Sequence, residues 1–150
     1  LYNYFLRMGL DRDSAQDLTQ NLFYRIIKYR SSYHEGSPVK AWIYQMARNL
    51  LTDFHLHEKK ENDVLAKFSD EVKGSSEIFR EEDFRRLDSA MKELPESQME
   101  LIVLSRYQQL KYSEISSVTG LSVPAIKVAI HRAIKQLRAI YIKQLKIDEK

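Results

Sequence analysis

Between Ile115 and Ile147 the chain has no acidic residue, yet it carries Lys127, His131, Arg132, Lys135, Arg138, Lys143 and Lys146. The segment is entered through Tyr112-Ser113-Glu114-Ile115-Ser116-Ser117-Val118-Thr119-Gly120-Leu121-Ser122. That order predicts a short helix, a glycine turn, a serine N-cap and then a longer basic helix. It is the pattern of a helix-turn-helix, whose second helix enters a DNA major groove. Wound from Ser122 at about 100° per residue, the second helix places Ile126, Ile130, Ala133, Leu137 and Ile140 on one side. Lys127, Val128, His131, Lys135 and Arg138 fall on the other, with Arg132 at its edge. The apolar side is fitted to a protein core. The basic side can neutralise phosphates or donate to guanine, and Val128 can touch a thymine methyl. The first turns of such a helix go deepest, which favours Pro124, Lys127, Val128 and His131 for base proximity. An alternative is a solvated amphipathic helix whose positive face binds nothing specific.

Composition narrows the rest. The chain has no cysteine, which excludes disulfides and thiolate metal sites, and its low glycine and proline content (four and three) suits helices. No apolar run approaches the roughly 20 residues that span a membrane, and no signal peptide is visible. A cytoplasmic protein is the expectation. The chain opens at Leu1 inside an apolar pattern, so further residues are expected before it. The net charge of +3 is modest, but Glu58 to Asp83 is rich in acids whereas the C-terminal helix is basic. That asymmetry places nucleic acid at one end.

No strand-like alternation or internal repeat is present, and the fold class is all-α. Two small helical domains joined by a flexible, partly acidic linker are expected: residues 1–57, 58–80 and 81–150. In the first, Leu1 to Met8 reads as a helix ended near Gly9. Asp13 or Ser14 caps a second helix that runs to about Tyr29 and buries Leu18, Leu22, Ile26 and Tyr29. Ser37 and Pro38 open a third, running to about His57 with a stripe of Trp42, Tyr44, Ala47, Leu51 and Phe54. In the last zone a helix over 81–93 uses Phe84, Leu87 and Met91. Leu94-Pro95-Glu96 breaks it, and a second over 97–108 precedes the helix-turn-helix. The result is a four-helix domain.

Two motif blocks then coincide. One holds Asp17-Leu18-Thr19-Gln20 with Phe23, and Ser37-Pro38-Val39-Lys40-Ala41-Trp42-Ile43-Tyr44-Gln45-Met46-Ala47-Arg48-Asn49 with Asp53. The other holds Leu94-Pro95-Glu96, Arg106-Tyr107, the helix-turn-helix and His131-Arg132-Ala133. Together they resemble a bacterial RNA polymerase sigma factor of the extracytoplasmic-function (ECF) group, with its regions two and four, over nearly the whole chain outside the linker. The resemblance implies promoter-directed transcription initiation with core RNA polymerase and promoter DNA as partners, no chemistry and no cofactor of its own, and no small-molecule substrate. Asp17, Gln20, Asn21 and Tyr24, at i, i+3, i+4 and i+7, resemble the surface that docks on the clamp helices of the polymerase β′ subunit. The β flap is the other implied polymerase contact. The loop from Ser32 to Gly36, with Tyr33 and His34, resembles a pocket for a flipped base of the −10 element. Gln45, Arg48, Asn49 and Asp53 resemble the −10 contact segment. Arg106, Lys111, Tyr112, Ser122, Pro124, Lys127, Val128, His131, Arg132 and Lys135 resemble the −35 reader. An anti-sigma partner, perhaps membrane-held in some relatives, is implied too.

Departures and alternatives stand beside this. Asn21 replaces the usual Glu of the docking motif. Pro124 replaces a frequent Gly, Val128 and Ala129 replace Ser and Arg, and Lys111 replaces a capping Ser. Trp42 and Tyr44 also read as core, and Asn49 and Asp53 as an i, i+4 hydrogen-bonded pair. A stand-alone helix-turn-helix regulator binding a palindromic operator as a dimer is the second functional reading, and it leaves the Trp42 to Asn49 block without a role. An enzyme has little support. His34, His55, His57 and His131 form no metal pair by spacing, and no phosphate loop or nucleophile motif is present.

Overall fold

A computed structural model describes residues 1–62 and 80–148. Its elements are α1 (Tyr2–Arg7), α2 (Arg12–Lys28), α3 (Val39–Asn62), α4 (Arg80–Lys92), α5 (Glu96–Ile102), α6 (Tyr112–Thr119) and α7 (Val123–Asp148). A 3-10 turn (Arg30–Ser32) follows α2 and a π-helical turn (Val103–Tyr107) follows α5. No strand occurs among the described residues. The expected linker falls largely on residues 63–79, which lie outside the described residues.

Local chemistry sets the helix ends. The Asp11 carboxylate accepts from the Ser14 backbone N–H at 2.9 Å and from its hydroxyl at 2.7 Å, so Asp11 rather than Asp13 or Ser14 caps α2. These bonds to Ser14 hold the Asp11 carboxyl below the usual carboxylate range. α3 starts one residue later than Pro38, which contributes its carbonyl to Trp42 N–H. It also continues beyond His57 to Asn62, because Glu and Lys sustain a helix without an apolar stripe. Ser122 Oγ accepts from Ala125 N–H and caps α7, as its sequence position indicates. Gly120, at φ 77°, closes α6 in the left-handed conformation that lacks a side-chain penalty. The Glu114 carboxylate takes up the Lys111 backbone N–H at 2.7 Å, so the first helix of the motif is capped without the usual serine.

The buried stripes of α2 (Leu18, Leu22) and α3 (Ala41, Tyr44, Ala47, Leu50, Leu51) meet over Phe5, Met8 and Leu10. Leu101, Ile102, Val103, Leu104, Ile115, Val118, Ile126, Ile130 and Ala133 fill the C-terminal half. These two sets form one continuous core, with α3 packed along α6 and α1 against the π turn. Two side chains expected inside are outside: Tyr29 is 46% exposed and Phe84 65%. Tyr29 sits at the very end of α2, where the chain turns away, and Lys28 lies over its ring. Phe84 lies at the start of α4, over the rim of the α4–α7 contact.

Two stability outcomes are expected. Leu104→Ala, at a site with no solvent exposure, should lower the unfolding free energy by about 2–5 kcal/mol in denaturant titrations. Asp11→Ala should cost about 0.5–2 kcal/mol at neutral pH. A depressed carboxyl stabilises the fold above its ordinary pKa and loses that contribution as pH falls through the folded value. The difference between Asp11→Ala and the parent should therefore close in acid.

Candidate nucleic-acid interface

The C-terminal face comes first. Ile126, Ile130 and Ala133 are buried, and this turns the opposite side of α7 outward. Pro124, Lys127, Val128, His131, Arg132, Lys135 and Arg138 are all exposed, and Val128 is the apolar member of the row at 50%. Ser122 is exposed at the N-cap, and Lys111 lies exposed at the start of α6. Tyr112 is half-buried against the core, and Arg106 is exposed on the π turn. The register of α7 thus leaves a cationic surface that begins at a helix N-terminus and has no carboxylate of its own helix to neutralise it. Such a surface attracts phosphates along its flanks and offers its first turns to base edges.

The N-terminal half has two faces. On α2, Asp17, Gln20, Asn21 and Tyr24 are exposed and share one side of the helix. The structure adds Phe23 (53% exposed) and Ile27 (66%) beside Tyr24 (62%). An exposed apolar cluster rimmed by polar groups marks a protein-binding surface. Sequence periodicity alone treats Phe23 and Ile27 as strays from the buried stripe; their adjacency to Tyr24 at i−1 and i+3 is the signal that groups them.

The third face is formed by α3 and the loop before it. Gln45, Asn49 and Asp53, at successive i+4 steps, make an exposed row. Asp53 pairs with Arg25 of α2 at 3.8 Å rather than with Asn49. The Tyr33 hydroxyl donates to the Ser37 carbonyl at 2.7 Å, and its ring lies 5.4 Å from that of Trp42 at a tilt of 58°. These contacts fold the loop over the start of α3 and leave a cleft of about 420 Å³ between Tyr33, His34, Ser37, Trp42, Gln45 and Ser117 of α6. A cleft with two aromatic rings and polar loop atoms can hold an unstacked base.

Arg48 differs from its neighbours. It lies one turn from Tyr44 on the side of α3 that faces the C-terminal half. Its Nε donates to Glu100 Oε1 at 2.8 Å, while the Glu100 side chain is only 10% exposed. Burial pushes the Glu100 carboxyl above its ordinary range, and the Arg48 guanidinium pulls it partly back. The Tyr44 hydroxyl, raised by burial, donates to Gln108 Oε1 at 2.5 Å across the same seam. Nearby, Arg7 stacks on the Tyr107 ring at 3.5 Å and reaches Asp88 at 3.8 Å. A cleft of about 600 Å³ opens beside these contacts between His55, Leu51, Glu96 and Glu100. Among the described residues no group of three His, Asp or Glu could hold a metal ion, and no helix is long and apolar enough to cross a membrane.

Because the net direction at Glu100 is upward, the folded form binds a proton there more tightly than the unfolded form. Stability contributed by this site is full at low pH and declines as pH rises from the ordinary glutamate value of 4.5 through the raised one. Glu100→Gln removes that decline. Its unfolding free energy relative to the parent should climb across this window and level off above it, in chemical denaturation run as a pH series.

The comparisons with known proteins fall on the same two halves. The family model for Sigma-70 region 2 matches residues 1–61, and that for Sigma-70, region 4 matches residues 84–137. The chain is 32% identical to the ECF RNA polymerase sigma factor SigM of Bacillus subtilis over 148 residues, covering 94% of this chain and 88% of that protein. It is 26% identical to the ECF RNA polymerase sigma factor EcfG of Rhodopseudomonas palustris, covering 85% and 71%. Among solved structures, the sigma factor RpoE in complex with the anti-sigma factor NepR from Bartonella quintana has a similar fold, with a TM-score of 0.71 and 22% identity over 98% of this chain and 90% of that one. CnrH in complex with the cytosolic domain of CnrY gives 0.66 and 22% over 89% and 75%.

Proposed function

The chain belongs to the extracytoplasmic-function sigma factors, which direct core RNA polymerase to promoters, and from that premise we propose a division of labour among its three exposed faces. The basic face of α7, with Lys127, Val128 and His131 at its deep end, reads the −35 element. Arg106, Lys111, Tyr112, Ser122, Arg132 and Lys135 hold the flanking phosphates. Gln45, Asn49, Asp53 and Arg48, with the Tyr33–His34 cleft, take the −10 element as it opens. Asp17, Gln20, Asn21 and Tyr24, now joined by Phe23 and Ile27, dock on polymerase. Residues 1 to about 62 act as one functional unit and 80 onward as the other. The bond-making chemistry belongs to polymerase, and this chain supplies recognition alone, in the cytoplasm. The observation that carries the reading is the exposed, acid-free cationic row of α7 on one half, set against an exposed apolar-polar cluster on α2 of the other. A dimeric regulator would need only the first of these.

Asn21 leaves the docking face one carboxylate short of the family pattern, so apolar contact through Phe23, Tyr24 and Ile27 carries more of that interface. Both similar solved structures hold a second protein, and an inhibitor that covers the same faces is proposed for this chain as well.

The test separates the faces. Lys127→Ala with His131→Ala should weaken binding of the polymerase complex to its promoter at least tenfold, since each good base contact is worth about 1–3 kcal/mol. Pull-down of core polymerase by this variant should be unchanged. Asp17→Ala with Gln20→Ala should lose the pull-down first. If both pairs lost the same function, the division of labour would be refuted.

A further inference from the structure

The arrangement of the two halves is incompatible with reading a promoter. The nominal −35 and −10 positions are about 25 base pairs apart, which at about 3.4 Å per pair is about 85 Å of duplex. A packed chain of 150 residues has a radius of gyration of about 15 Å and is about 40 Å across. With α6 lying along α3, the two DNA-reading units touch one another and cannot reach both elements at once. The seam also uses the reading surface itself. Arg48 is held by Glu100, and Ser117 of α6 forms a wall of the Tyr33–Trp42 cleft. The face of α2 stays open.

We propose that this packing is a self-masked resting state in which Glu100 occupies Arg48 in place of DNA, and that promoter engagement requires the two halves to part at the α3–α5–α6 seam. The inference rests on the division of labour above. Apolar contact and the Tyr44–Gln108 bond hold the seam closed, while the Arg48–Glu100 pair sets its release. A DNA phosphate that takes Arg48 leaves the Glu100 carboxylate enclosed without its counter-ion, and separation of the halves returns that carboxylate to water. Arg48 thus exchanges one anion for another, and DNA binding and opening become one event. The chain between Asn62 and Arg80 is long enough for this: extended, it reaches about 60 Å. Polymerase can dock through α2 on the closed form. By linkage, any protein that binds the closed form more tightly than the open one represses the chain.

The native chain has no cysteine, so a reversible lock is simple to install. Arg7→Cys with Asp88→Cys places thiols on α1 and α4 across the seam, outside all three proposed binding faces. A short bis-methanethiosulfonate reagent joins them, and dithiothreitol releases them. The locked full-length protein should still bind core polymerase but lose promoter-directed transcription at least tenfold, and reduction should restore it. If the locked protein initiates at the same start sites and rate as the reduced one, the resting-state proposal is overturned. If the reduced protein neither binds polymerase nor initiates, it is the division of labour that fails. A second variant works in the opposite sense. Glu100→Lys sets two cations against each other at the seam and should raise transcription several-fold at limiting protein, whereas Glu100→Gln, which has no charge to enclose, should not. Equal activity of Glu100→Lys and the parent, with unchanged helix content, also overturns the proposal.

Discussion

The α3–α6 seam is the constraint on which the rest of the structure depends. α3 is the longest apolar stripe of the N-terminal half, and burying it on α2 alone would leave the Tyr44 side exposed. Packing against α6 and the π turn covers that side and merges two small cores into one. Small helical units are marginal alone, because they bury a smaller share of their surface than larger domains. Shared burial therefore stabilises each half. The polar members of the seam differ in kind. Tyr44 and Gln108 satisfy each other, whereas Glu100 is enclosed at some expense and only partly compensated by Arg48.

What the seam leaves uncovered is as informative as what it covers. The cationic row of α7 and the apolar cluster of α2 lie outside it, on different helices and with different chemistry. A row of lysine, arginine and histidine without carboxylates suits a polyanion. A cluster of Phe23, Tyr24 and Ile27 rimmed by Asp17, Gln20 and Asn21 suits a protein surface. The π turn links the two regions. Its extra residue, followed by Gln109 at φ 56°, aims Tyr107 under Arg7 and Gln108 at Tyr44 before the chain enters α6.

The helices and the DNA-reading face were legible in the sequence because their signals are local. Gly120, Ser122 and the i, i+3, i+4 spacing of Ile126, Ile130 and Ala133 fix the α7 register within a dozen residues. The family resemblance, carried by the Trp42 to Asn49 block, agrees with both family-model matches. The end of α3 was missed because 58–62 lacks apolar residues, although its Glu and Lys favour helix. Competition among three nearby capping residues hid the start of α2, and the choice of Asp11 depends on its geometry to Ser14. Phe84 and Tyr29 fit an apolar period but lie where no neighbour covers them. Least legible was the seam. Glu100 reads as an ordinary exposed glutamate of a short helix, and nothing within ten residues reports that Arg48, 52 positions earlier, will enclose it.

The central claim, that one chain alternates between a packed form and a promoter-spanning form, is a claim about one distance. It is tested most directly by pulsed dipolar spin-label spectroscopy, with labels on introduced cysteines in α1 and α4. The distribution would be measured for the free chain and again in the complex with core polymerase and a promoter. The account expects a single short distance in the free chain and one longer by tens of ångströms on the promoter. A short distance retained in a complex competent for initiation would contradict it.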